Sequence, residues 1–276
     1  MTTRCIFAGL AALTLAGATH AATTAPVSLW RLDCGKIVAF DLDEFSDTRA
    51  YVGQHRNMAV SCYLIRHGDT YMLWDAGLPR ALLNHVPDPK QGLDGVLTVT
   101  MVDQLAKLGV KPDQIALLGI SHEHFDHTGQ AADFPTAKLL MGKGDIDDMR
   151  GPNAARGEPL AHWLKDGGAI DPVSGDKDVF GDGSVVMIDL PGHTPGHHGL
   201  LVKLAHKGYV LLSGDVVHLA ENYASNGIPS FNTNRADSLA SIDRFKKLAA
   251  NLKATVIIQH ELADVAKLPA FPKAAD

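Results

Sequence analysis

Residues 114–120, QIALLGI, form an almost purely apolar run, and the chain passes from it directly into SHEHFDHTG, which carries five ionisable groups in nine residues. A short apolar run bounded by polar residues reads as a strand buried on both faces. Such a strand must lie in a sheet covered from both sides, and its polar overflow must emerge at the sheet's edge. The pattern recurs. SVVMIDL (184–190) leads through PGHTPGHHG to His193, GYVLLSGD (208–215) ends on Asp215, and ATVIIQH (254–260) ends on His260. Layered α/β folds place their sites where strands end and loops begin.

The rest of the chain supports that class. AVSCYLIR (59–66) and TYMLWD (70–75) flank HGD and read as a hairpin. TMVDQLAKLG (100–109) has helical spacing of apolar residues, with Gly109 fitting the position just past its end. The spacing over 237–252 predicts another helix, with Asp237 as its N-cap. Residues 142–184 are rich in Gly, Pro and Asp and read as loops and short helices. Strand runs separated by single helices give an α/β layered domain.

The first 21 residues read as a secretory leader. Arg4 supplies a positive start, CIFAGLAALTLAGA (5–18) is apolar but too short for a membrane span, and small residues surround a cleavage point after Ala21 or Ala22. The expected mature domain is 22–276, periplasmic or secreted, with no stable membrane insertion after cleavage. In an oxidising compartment Cys34 and Cys62 have two readings, a disulfide or two buried thiols, because spacing does not fix their separation. The net charge of −6 and scattered Lys and Arg argue against nucleic acid as a partner. A small-molecule substrate is expected, and a homodimer is compatible with the sequence.

The H-x-H-x-D-H spacing has a direct chemical meaning. In extended chain, residues two apart point the same way, so His122, His124 and Asp126 share a face. His127 points elsewhere unless the chain turns. Imidazole with carboxylate suits zinc, and iron, manganese or cobalt less specifically. Five histidines and two aspartates exceed one tetrahedral ion and suit two ions about 3.5–4 Å apart.

Taken with His193, Asp215 and His260, the HEHFDH motif resembles the metallo-β-lactamase fold superfamily, over roughly residues 58–262. The resemblance implies a four-layer αββα sandwich. It also implies two Zn2+ per chain: one held by His122, His124 and His193, the other by Asp126, His127 and His260, with Asp215 bridging. Asp75 in LWDAGLP is similar to the family's strand-end aspartate that orients the metal loop. The implied reaction is attack by a metal-bridging hydroxide on an ester-like bond, with Asp126 carrying the proton.

Within the superfamily the chain most resembles the N-acyl-homoserine lactonases. SCYLIRHGDTYMLWDAGLP (61–79), SGDVVHLAENY (213–223), SLASIDRFKKL (238–248) and IIQHE (257–261) carry that likeness. It implies lactone-ring opening and quorum quenching. The alternative is a dizinc hydrolase of the same fold acting on a β-lactam, an aryl ester or an organophosphate triester. Asp215 counts against a dedicated β-lactamase, in which the bridging carboxylate is typically absent. Many lactonases of this type place a Tyr three residues after the bridging Asp, and here that position is His218. It has two readings, a catalytic group facing the substrate or a packing residue. Phe45, Tyr51, Tyr223 and Phe231 are candidates for the walls of an acyl pocket.

Overall fold

The computed structural model describes residues 1–2 and 25–276. The body of the expected leader therefore lies outside the described residues. Among them, no helix is long and apolar enough to cross a membrane.

Two sheets are stacked. The first contains β1 (Val27–Ala39), β2 (Arg56–His67), β3 (Thr70–Trp74), β4 (Leu93–Val96), β5 (Ile115–Ile120), β6 (Lys138–Gly142) and β7 (Ile170–Val173), in the order β4-β1-β2-β3-β5-β6-β7. The second contains β8 (Lys177–Asp178), β9 (Val185–Asp189), β10 (His198–Leu204), β11 (Gly208–Leu212) and β12 (Thr255–Ile257), in the order β12-β11-β10-β9-β8. From β3 through β7 the neighbouring strands run parallel, as do β11 and β12.

Strand alternation turns these sheets into four layers. Along β2, Tyr63 and Ile65 face the other sheet, while Cys62 and Leu64 face away. Along β11, Val210 and Leu212 face inward and Leu211 outward. The inward sets meet in one apolar core with Trp74, Met187 and Leu200. The outer face of the first sheet packs on α1 (Met101–Lys107), α3 (Lys143–Met149) and α4 (Ala161–Leu164) through Leu105, Ile146 and Trp163. The outer face of the second packs on α6 (Arg235–Leu252), which follows the short α5 (Ala220–Ser225), through Ile242 and Phe245. Three apolar interfaces between four layers make an αββα sandwich.

The expected helix at 100–109 is α1, capped by the Thr100 side chain accepting from the Asp103 amide. The last helix starts earlier than expected. Asn234, not Asp237, is its N-cap, accepting from the amides of Ala236 and Asp237. Either residue type can cap, and the Asn side chain satisfies two amides at once. β12 is only three residues long, so His260 sits beyond it in a turn. β6 corresponds to no expected strand, and neither do β4, β7 and β8. The last three are edge strands of two to four residues, with Gly or Pro inside two of them. Cys34 and Cys62 form a disulfide with a Cα separation of 5.8 Å. Asp33 pairs with Ser61 in the β1–β2 ladder, and the register shifts just after it.

Candidate metal centre

Every expected ligand lies where the strands of the two sheets run out. β3 gives way to Asp75, and β5 to Ser121 and the turn that leads into α2 (Phe125–Thr128). β9 and β10 are joined by the loop bearing His193. β11 is followed by Asp215, and β12 by His260. The ends are tied across the sandwich: the His198 amide donates to Ser121 O (2.9 Å), and Gln259 Nε2 donates to Ser61 O (2.8 Å).

The side chains converge as two overlapping groups that could each hold a metal ion. His122, His124, His193 and Asp215 form one, and Asp126, His127, His260 and Asp215 the other. The inward nitrogens of the first three lie 2.9–3.1 Å apart. Asp215 reaches both groups. Its Oδ2 is 3.7 Å from His122 and 3.6 Å from His193, and its Oδ1 is 3.4 Å from His127 and 3.2 Å from His260. All but His124 are buried.

The outer nitrogen of each ring decides what the inner one presents. His193 Nδ1 faces Asn232 Oδ1 (2.8 Å), His260 Nδ1 faces Ala59 O (2.8 Å), and His127 Nδ1 faces Asp75 Oδ2 (2.9 Å). Each partner only accepts, so each Nδ1 carries a proton and each Nε2 presents inward a lone pair that a proton or a metal ion can take. Ser121 Oγ donates to Asp75 and accepts from His122 Nδ1, 3.1 Å away. His122 Nε2 then presents a lone pair too. Lone pairs thus face lone pairs in the first group. In the second they face carboxylate oxygens, and His127 Nε2 and Asp215 Oδ1 have no hydrogen-bond partner. Such a cluster is satisfied only by cations, so the donor set fits divalent metals.

The proton affinities describe the same field. Burial holds His122 and His193 well below the ordinary imidazole range, and His124 down to about 4. Burial also opposes charge on His127, but Asp126, Asp215 and Asp75 outweigh it and hold that imidazolium well above the usual range. Asp215 is held well below the carboxylate range, because His260 and His127 outweigh its burial.

Asp75 organises the motif from beneath. It adopts a left-handed φ of 62°, and its carboxylate accepts from the Ser121 amide (2.7 Å), the Ser121 hydroxyl and His127 Nδ1. His197 has a positioning role. Its Nδ1 donates to Leu190 O, which leaves Nε2 to accept the Asp215 amide at 2.8 Å. Asn232, Asp145 and Arg156 were not singled out by the sequence.

A cavity of about 470 Å3 opens onto Asp126, Asp215, His124, His260 and His218. Its walls are mainly apolar, with Ile37, Phe45, Leu93, Phe125, Pro159 and Phe231. Phe45 and Phe231, two of the four expected wall residues, line this cavity. Tyr51 and Tyr223 do not: Tyr51 joins the helix-side core, and Tyr223 packs edge-on against Phe245. His218 faces this cavity. It stacks on His260 with centroids 5.6 Å apart, meets Phe45 edge-on, and holds Nε2 3.2 Å from Asp215 Oδ2. Arg156 is paired with the buried Glu123, whose carboxyl burial pushes up to about 7. The remaining guanidinium N–H groups have no protein partner among the described residues.

An αββα sandwich with paired His/Asp groups at its strand ends defines a class of metal-dependent hydrolases. Residues 55–260 match the Metallo-beta-lactamase superfamily, and the chain belongs to it. It is similar to N-acyl homoserine lactonase AttM of Rhizobium radiobacter, 27% identical over 240 residues that cover 79% of this chain and 89% of the relative. An N-acyl homoserine lactonase of Bacillus cereus is 26% identical over 229 residues, covering 80% and 88% of the two chains. Among solved structures, an N-acyl homoserine lactone hydrolase with N-hexanoyl-L-homoserine bound at its catalytic metal center has a TM-score of 0.78. It is 23% identical, and the match covers 91% of this chain and all of the other. At that identity the likeness speaks for the fold.

Proposed function

We propose that this protein is a dizinc lactonase that opens the ring of N-acyl-homoserine lactones and so quenches quorum signals. The observation that carries the reading is the pair of lone-pair clusters sharing Asp215 at the floor of an apolar cavity. The similarity to named lactonases supports the choice of substrate.

His122, His124, His193 and Asp215 would hold one ion, and Asp126, His127, His260 and Asp215 the other. Such a pair supplies Lewis-acid polarisation of the ester carbonyl and lowers the pKa of water to near neutrality. The chain's own residues do the rest. Apolar walls take the acyl tail, and Phe45 and Phe231 exclude water from one side of the cavity. Asp126 takes the proton of the attacking water and returns it to the ring oxygen as the acyl C–O bond breaks. His218 offers an imidazole N–H to the substrate carbonyl, the duty a tyrosine hydroxyl has in the lactonases the chain resembles. Arg156, braced by Glu123, offers its free N–H groups to the oxygen of the acyl amide.

The leader-like N-terminus and the disulfide support a periplasmic or secreted location. The test is a panel on purified zinc-loaded protein. Ring opening of N-acyl-homoserine lactones of several chain lengths is followed by pH-stat, beside nitrocefin, paraoxon and an aryl ester. Lactones turned over far faster than the other substrates are the expected result. No ring opening at any chain length with both metals present refutes the assignment.

A further inference from the structure

Asp145 belongs to none of the ligand groups, yet it is fully buried beside them. It lies in the first turn of α3, just after β6. Its Oδ2 accepts from the Glu123 amide (3.1 Å) and from the Thr194 hydroxyl (2.8 Å), and its Oδ1 accepts from the Gly196 amide. Glu123 stands between His122 and His124, and Thr194 directly follows His193. All three bonds therefore end in the two segments that supply the histidines of the first group. None ends on Asp126, His127 or His260 themselves, although Glu123 stands three residues before Asp126.

The backbone is shaped to permit this. A Cβ on Gly142 would come within 1.8 Å of Gly196 O, and one on Gly196 within 2.5 Å of the Asp145 amide. The turn from β6 into α3 thus lies flush against the loop of His193, and only glycine allows that approach. The far side of the Gly196 peptide is held as well, since its carbonyl accepts from His198 Nδ1 at 2.7 Å.

We infer that Asp145 is a positioning residue for one metal site only: it staples the His122–His124 segment to the His193 loop and thereby sets the geometry of the first ion's histidines. The inference rests on the two-metal reading. Loss of a partner that orients metal ligands typically costs roughly ten- to a hundredfold in metal affinity. Here that cost falls on one of two neighbouring ions.

Asp145→Asn is nearly isosteric but places an amide NH2 where all the partners are donors. Thr194→Val removes one of the three bonds and leaves the carboxylate intact. Zinc affinity is measured for both equivalents by chelator competition, and zinc-edge anomalous density reports which site is filled. Circular dichroism checks the fold. The expected result for Asp145→Asn is one equivalent weakened about ten- to a hundredfold, with density lost at His122, His124 and His193 and kept at Asp126, His127 and His260. Thr194→Val should show a smaller loss at the same site, and it decides the matter if Asp145→Asn does not fold. Two zincs held with wild-type affinity by the folded variants, or both sites weakened alike, overturn the inference. A wild-type protein that binds fewer than two zincs overturns the two-metal reading itself, and this inference with it.

Discussion

Removing the Cys34–Cys62 bridge should destabilise the protein by an amount the topology fixes. The bond closes a loop of 28 residues between β1 and β2. The chain-entropy relation for a loop of that length gives about 3.5 kcal/mol, mostly by restricting the unfolded chain. The bridge also lies under Gly77, where an added Cβ would meet Cys34 Cβ at 2.5 Å. That turn braces the metal loop, with the Gly129 amide donating to Gly77 O at 2.8 Å and the Ala76 amide to His127 O at 2.7 Å. Two arms isolate the effect: equilibrium urea unfolding with and without reductant, and the Cys34→Ala/Cys62→Ala double variant. For a chain of this size the loss corresponds to a midpoint shift of roughly 1 M urea. The double variant should fall somewhat further, because it also loses buried sulfur. Thiol titration of the unreduced, unfolded chain should find neither Cys34 nor Cys62 free. An unchanged midpoint, or two reactive thiols at these positions, refutes the reasoning.

Asp215→Asn should lower kcat/KM about a thousandfold or more, roughly 4 kcal/mol, and reduce bound zinc, read by elemental analysis and initial rates. Arg156→Met should raise KM for N-acyl-homoserine lactones about tenfold, within the range for a charged hydrogen bond, yet leave alkyl lactones lacking the amide unchanged. Glu123 has a folded-state pKa raised to about 7 from 4.5. A raised pKa contributes stability that is complete below the unfolded value and is lost as pH climbs through the folded one. Glu123→Gln should therefore gain stability relative to wild type as pH rises from about 4.5 to 7, by about 2 kcal/mol after discounting for the half-exposed Arg156. Paired thermal melts across that range measure it, and a difference that is flat with pH contradicts it. Because protons occupy His127 and His260 when no cation does, zinc loading should fall as pH is lowered, which isothermal titration at several pH values would show.

The candidate ligands were legible because they follow apolar runs: Asp215 follows β11, and the HEHFDH segment follows β5. A strand's period and its polar terminus are local properties of sequence. What was not legible depends on pairs of segments far apart in the chain. Asp145 looks like any acid in a polar stretch until β6 carries it against the loop of His193. Arg156 and Asn232 likewise gain meaning only from Glu123 and His193. Tyr51 and Tyr223 are as aromatic as Phe45 and Phe231, and only packing sends the first pair to the core and the second to the cavity. The disulfide required a Cα distance that no spacing supplies. The short strands β4, β7 and β8 exist through pairing with longer neighbours, without a strong pattern of their own.

Reconstitution tests the central claim most directly. Metal is stripped with a chelator, zinc is returned in known equivalents, and N-acyl-homoserine lactone opening is followed at each step. The apoprotein should be folded but inactive, and activity should reach its plateau at two zincs per chain. A metal-free protein that opens the lactone at the full rate, or a protein with two zincs that opens none, contradicts it.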